Sequence, residues 1–197
     1  MKNYKTIALT GGIGSGKSIA LSIIAGAGYK TLSCDSITAD LYNKRKIKLK
    51  LKKLFPTAVK GFFNPVIDKI ELSKIVFNDS EKLELLTSTI TPLVMEEVVS
   101  RAKALNQTVF VEVPLLFERR YENKFDNVLV ITRPLKDRID SVKTRSNLTE
   151  EQIKARINAQ VNYEQIDLSP YTVIMNDGDK TALKEKVLDA VKKLTEE

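Results

Sequence analysis

Five short apolar runs, at 6–10, 29–33, 109–113, 128–132 and 173–176, alternate along the chain with stretches in which apolar residues recur at helical spacing. Runs of this length, rich in Val and Ile, predict strands, and their alternation with helices predicts a parallel sheet. Ile19, Leu21, Ile23 and Ile24 place a helix over 18–27, directly after the first run. The stripe Leu183, Val187, Leu188, Val191 and Leu194 predicts a core-facing last helix over 179–194. The distance between the second and third runs exceeds one crossover helix, so an inserted helical region is expected over 36–106. Within it, helical patterns fall at 46–55, 71–77 and 92–105, Pro92 suits a first helical turn, and 55–65 reads as a loop or tight turn. A second insertion, 134–165, reads as two helices broken near 146–149, with Thr149 and Gln152 spaced as a capping box.

These elements assemble into an α/β fold: a three-layer α/β/α arrangement on a five-stranded parallel sheet, with two helical insertions. Its expected core is 1–35, 107–133 and 166–197, in one folded unit of 197 residues. The composition, 43% hydrophobic and 29% charged, is that of a soluble protein. No apolar run approaches the ~20 residues of a membrane span, and residues 1–5 lead into no secretory h-region, so a cytoplasmic protein without a membrane partner is expected. A single cysteine, Cys34, and no histidine exclude a disulfide framework and a zinc constellation. Any general base must then be a carboxylate or a lysine. The net charge of +7 is local: seven basic residues and no acidic one lie in 44–53, leaving 25 of each sign elsewhere. That balance argues against a nucleic-acid-binding domain.

The chemistry concentrates after the first strand, in Leu9-Thr10-Gly11-Gly12-Ile13-Gly14-Ser15-Gly16-Lys17-Ser18. Glycine loses the most entropy on folding, so four in six positions imply a backbone that must turn tightly and approach something large. Gly11, four residues, then Gly16-Lys17-Ser18 fits the phosphate-cradling pattern G-x-x-x-x-G-K-[ST]. Its backbone N–H groups would wrap phosphates, with Lys17 as a point charge and the Ser18 hydroxyl left for Mg²⁺. A plain strand-to-helix turn explains one or two glycines, but not Lys17 and Ser18 at these offsets. No glycine follows an aspartate by three, as a GTPase switch requires, and the N-K-x-D string at 123–126 precedes a strand, away from the ligand edge of such sheets. A kinase needs a carboxylate to orient an acceptor hydroxyl. Asp35, just past the second strand, is the candidate; capping a helix over 36–42 is its alternative role.

The segment Val109-Phe110-Val111-Glu112-Val113-Pro114-Leu115-Leu116-Phe117-Glu118 narrows the field. Together with the glycine loop, Asp35, Arg145 with Thr149, Gln160 and Asn176-Asp177-Gly178, it makes nearly the whole chain resemble the dephospho-coenzyme A kinase family. That resemblance implies ATP-dependent phosphorylation of the ribose 3′-hydroxyl of dephospho-CoA, a CoA-binding insertion over 36–106 and an arginine-bearing lid over 134–165. It implies that Asp35 is the base and that Gly11 to Ile19 hold ATP. Arg145 would reach the ATP phosphates, and Asn176 and Gly178 would lie under the adenine. Pro114, Leu115 and Leu116 would face the acceptor. Glu112 would hold the Mg²⁺ water shell beside Ser18, a charged strand end being its alternative reading. The chain departs from the family pattern at Ser33, Thr91, Ser141 and Tyr171; an arginine is frequent at position 141, and Arg138, one turn away, is the expected substitute for it. A kinase for another small acceptor, such as a nucleoside monophosphate, is the neighbouring expectation. A non-catalytic binder of polyanions is the more distant one. The lysines of 44–53 read as a solvated helix face, or as a lure for the acceptor's pyrophosphate.

Overall fold

The computed structural model describes residues 4–196, so part of the leader reading, residues 1–3, lies outside the described residues. Packing divides the chain into two units, one running to Ser33 and resuming at Ala102, the other spanning Cys34–Arg101.

The first unit holds the sheet. Strands β1 (Thr6–Thr10), β2 (Lys30–Ser33), β5 (Val109–Glu112), β6 (Asn127–Thr132) and β7 (Thr172–Met175) lie in the order β2-β5-β1-β6-β7. All pairs are parallel, with Ala8 opposite Val111 on one side and Val128 on the other. Alternate residues of β1 and β6, namely Ile7, Leu9, Leu129 and Ile131, pack on α1 (Lys17–Gly26) and α8 (Lys180–Glu196) through Ala20, Ile24, Leu183, Val187 and Val191. The opposite face of the same strands, Ala8, Val128 and Val130, is buried as well, as a parallel sheet covered on both sides requires. All five strands are where the apolar runs place them, to within a residue. Asp126, the last residue of the N-K-x-D string, accepts from the backbone N and Oγ1 of Thr6 at 2.6 and 2.8 Å, a structural bond at the start of β1.

Helices α6 (Leu135–Arg145) and α7 (Glu150–Asn158) occupy the second insertion and meet through Ile139, Val142 and Ile153. The expected capping box is present: Thr149 Oγ1 accepts from Gln152 N, and Gln152 Oε1 accepts from Thr149 N.

The second unit is helical: α2 (Cys34–Asn43), α3 (Arg45–Leu54), α4 (Lys69–Phe77) and most of α5 (Ser80–Leu105), with a small hairpin of β3 (Val59–Lys60) and β4 (Val66–Ile67). The loop or tight turn expected over 55–65 is a short 3-10 turn that leads into this hairpin. One expectation is corrected. The helix expected to begin at Pro92 begins at Ser80, with Asp79 Oδ1 accepting from the Glu81 and Lys82 N–H groups, so Pro92 is interior. Proline there removes one bond, to the Ser88 carbonyl. Pro92 and Ser88 both lie on the exposed side, where water serves that carbonyl, while buried Ile90, Val94 and Val98 carry the helix through. Among the described residues no helix is long and apolar enough to cross a membrane.

Candidate active site

The glycine loop leaves the carboxyl end of β1 between β5 and β6, where the connections diverge and open sheets bind ligands. Gly14 and Gly16 have φ of 79° and 104°, conformations in which a side chain is strained. A Cβ at Gly16 would strike the Asn176 amide. That amide is the loop's brace: Asn176 Nδ2 donates to Ser15 O at 2.8 Å, and Asn176 N donates to Thr132 O at 2.9 Å. The side chain expected under an adenine is thus buried and spent on holding the loop. Lys17 Nζ folds over the loop, donating to Gly11 O at 2.7 Å and Gly12 O at 3.1 Å. The first turn of α1 contains no acidic residue, so its N–H groups and the positive end of its dipole are available to an anion. Ser15 Oγ is buried without a hydrogen-bond partner among the described residues, an orphan that a phosphate oxygen would satisfy.

Ser18 Oγ donates to Glu112 Oε1 at 3.2 Å, joining the end of the loop to the last residue of β5. A hydroxyl and a carboxylate at one point suit Mg²⁺, which takes one or two protein oxygens and completes its shell with phosphate and water. Among the described residues there is no group of three His, Cys, Asp or Glu side chains that could hold a metal ion.

The second insertion holds the apex of the loop. Arg138 Nε donates to Ile13 O at 3.0 Å, and Gln160 Oε1 accepts from Ile13 N at 2.7 Å. A Cβ at Gly12 would meet the Arg138 guanidinium, which would have to shift to admit it. Burial draws the Arg138 guanidinium below its usual pKa range, with Tyr163 and Glu164 acting in the opposite direction. Arg145 lies in the last turn of α6, exposed, so the lid guanidinium bonded to the loop is that of Arg138. Sequence reasoning offered Arg138 as a substitute for the arginine frequent at position 141. It missed Tyr163 altogether, although an aromatic three residues past Gln160 in an otherwise polar stretch was a usable signal. Tyr163 OH lies 3.3 Å from Thr10 Oγ1, and the Tyr163 ring packs edge-on against Phe117. Gly12, Ser15, Thr132, Arg138, Tyr163 and Met175 are among the walls of a cleft of about 290 Å³ beside the loop.

Burial pushes the Tyr163 hydroxyl up to about 12. The folded state therefore holds this proton more tightly than the unfolded chain, whose tyrosines titrate near ~10. This contribution is fully present below ~10 and is lost as pH rises toward about 12, up to ~3 kcal/mol. Urea unfolding between these two values should show a steeper loss of stability for the native chain than for Tyr163→Phe. Parallel slopes would mean that Tyr163 ionises freely in the fold.

Other expected site residues fall as follows. Asp35 lies in the first turn of α2, one residue inside the helix, which corrects its reading as an N-cap. It is exposed and has no side-chain hydrogen bond among the described residues. Leu116 is fully buried, which corrects its expected contact with the acceptor: it supports the turn after β5 and offers no surface to a ligand. Leu115 is exposed and Pro114 half-buried. Glu118 Oε1 accepts from Val161 N at 3.1 Å, tying the same turn to the end of the second insertion. Gly178 packs against Ala182, and its neighbour Asp177 pairs with Lys186 at 2.6 Å. Ile19 is exposed on α1.

Strand, glycine loop, helix-borne Lys17 and Ser18, and an acid on the neighbouring strand define a P-loop kinase. A family model described as Dephospho-CoA kinase matches residues 5–182. The dephospho-CoA kinase of Thermus thermophilus is 36% identical over 189 residues, covering 94% of this chain and 89% of that protein. That of Bartonella quintana is 33% identical over 178 residues, covering 88% of this chain and 89% of that protein. A crystal structure of a Thermus thermophilus protein superposes with a TM-score of 0.83 at 33% identity, covering 97% of each chain. The dephospho-CoA kinase of Campylobacter jejuni, at 23% identity and a TM-score of 0.67, shares the fold over 99% of this chain and all of that one. The chain belongs to the dephospho-CoA kinase family, ATP-dependent enzymes of the final step of coenzyme A biosynthesis.

Proposed function

We propose that residues 11–18 grip the phosphates of ATP while Asp35 receives the proton of the acceptor, in the reaction of this family: phosphorylation of the ribose 3′-hydroxyl of dephospho-CoA to give coenzyme A and ADP. The observation that carries this assignment is the junction of Ser18 Oγ with Glu112 Oε1 at the mouth of a braced glycine loop. Such a junction gives a nucleotide–Mg²⁺ complex, not a bare anion, its two protein oxygens. Bound there, Mg²⁺ would neutralise charge developing on the phosphoryl oxygens. Phosphoryl transfer demands alignment and charge stabilisation and little covalent help, so a few groups suffice. Lys17, now bonded to Gly11 and Gly12 carbonyls, would exchange them for phosphate oxygens. The α1 N–H groups would bind the same anion. Asp35, unencumbered by hydrogen bonds, would accept the 3′-hydroxyl proton as the bond to phosphorus forms. Arg138 and Gln160 would hold the loop apex in shape, and Arg145 would bring its charge to the phosphates when 134–165 acts as a lid. Residues 36–106 would carry the acceptor, with Pro114 and Leu115 contributing from the turn after β5. An enzyme of this kind would work in the cytoplasm.

ATP consumption, followed with and without dephospho-CoA, tests the reading. A rise of orders of magnitude on adding dephospho-CoA, and none on adding nucleoside monophosphates, is expected. The reverse preference would assign another small acceptor to the same loop.

A further inference from the structure

The exposed hairpin turn of the second unit carries side chains to which the kinase reaction above assigns no individual role. Phe62 and Phe63, in the turn of the β3–β4 hairpin, are 79% and 87% exposed, and Val66 and Ile70 follow at 57% and 71%. Adjacent bare aromatic rings are rare on a protein that meets only water. The turn is held in place: Gly61 has a φ of 82°, and Lys52 Nζ donates to Gly61 O at 2.6 Å. The same ammonium stands 5.5 Å from the centre of the Phe62 ring, so the apolar tip is tied to α3.

Charge surrounds that tip. Residues 44–77 contain ten basic and two acidic side chains, whereas the rest of the chain contains 22 and 23. The whole net charge of the protein therefore belongs to α3, the hairpin and α4. On α3, Ile47 and Leu51 are buried and fix which face turns outward. Arg45, Lys46, Lys48, Lys50 and Lys53 have no ion-pair partner among the described residues.

We infer that this face docks peripherally on an anionic lipid bilayer, with Phe62 and Phe63 entering the headgroup layer and the α3 cations lying over lipid phosphates. Aromatic and aliphatic side chains at a hairpin turn, tied through Lys52 to a lysine-rich helix, are the chemistry of an interfacial anchor. Single-stranded nucleic acid fits less well. Base stacking needs open ring faces. Here the ammonium of Lys52 stands over the Phe62 ring, and the two rings meet edge to face at 5.3 Å and 84°. Val66 and Ile70 stack on no base. A second copy of the chain would set two such basic segments against each other. The sequence excluded a spanning segment; a surface contact needs none, and this inference does not depend on which acceptor the kinase uses.

Vesicle co-sedimentation of the full chain tests it, using phosphatidylglycerol–phosphatidylcholine vesicles against phosphatidylcholine alone. Binding to the anionic vesicles only, weakened by added salt and lowered about tenfold or more by Phe62→Ser with Phe63→Ser, is the expected result. The chain contains no tryptophan, so Phe62→Trp gives a single reporter whose emission should shift to the blue on anionic vesicles. That variant keeps the test open should the double change disturb folding. Absent binding, equal binding to neutral vesicles, or an unshifted reporter would overturn the inference. So would a double variant whose only defect is a raised KM for dephospho-CoA, or a chain that retains single-stranded DNA in preference to vesicles.

Discussion

Asp35→Asn should lower kcat by about 10²–10⁴ while leaving the KM for ATP nearly unchanged, the range that a positioned general base commands. Asparagine keeps the size and one acceptor oxygen of aspartate, so the start of α2 is preserved. It cannot take up a proton. Because the Asp35 side chain is exposed and bonds to nothing among the described residues, the substitution should leave the melting temperature where it was. Isotope-free steady-state kinetics against both substrates separate the alternatives. A loss confined to kcat identifies the base, a loss confined to the KM of dephospho-CoA identifies an acceptor contact, and full activity would return Asp35 to a purely structural place in the helix.

Arg145→Ala should cost about 10³-fold or more in kcat, on the scale of arginines that complete phosphoryl-transfer sites in P-loop enzymes. Its exposed position at the end of α6 means that folding should not suffer. Arg138→Ala should behave differently. It removes the bond to Ile13 O and the guanidinium packed on Gly12, so ATP affinity and thermal stability should fall together, the latter by about 1 kcal/mol. If Arg138→Ala instead produced the large kcat loss with intact stability, and Arg145→Ala none, the transition-state charge would belong to the guanidinium already on the loop. The presence of Ser141 rather than arginine, one turn from Arg138, makes the pair of variants worth measuring together.

The sheet was legible because β1, β5, β6 and β7 are short apolar runs with residues packed against α1 and α8, whereas β2 has neither Val nor Ile and is the least apolar of the five. The glycine loop was legible for another reason. Backbone that must adopt positive φ and approach an anion leaves few residue choices, and Lys17 and Ser18 complete the pattern. What the sequence concealed was long-range. Asn176 reads as a loop residue until its amide is seen on Ser15 O, and Leu116 reads as substrate-facing until it proves fully buried. The bonds of Arg138 and Gln160 to the backbone O and N of the single residue Ile13 span more than a hundred residues, and no local pattern announces them. The long α5 was misread because Pro92 is a strong local signal that packing overrode, while the weaker cap at Asp79 marked the true start.

The most direct test of the central claim follows the phosphoryl group itself. Dephospho-CoA and γ-labelled ATP with Mg²⁺ are incubated with the chain and with Lys17→Ala, and the product is located by mass spectrometry. Label on the ribose 3′-oxygen in equal measure to the ADP formed, and its loss with Lys17→Ala, is the predicted result. Label released only as inorganic phosphate, or transfer undiminished without Lys17, would contradict the account.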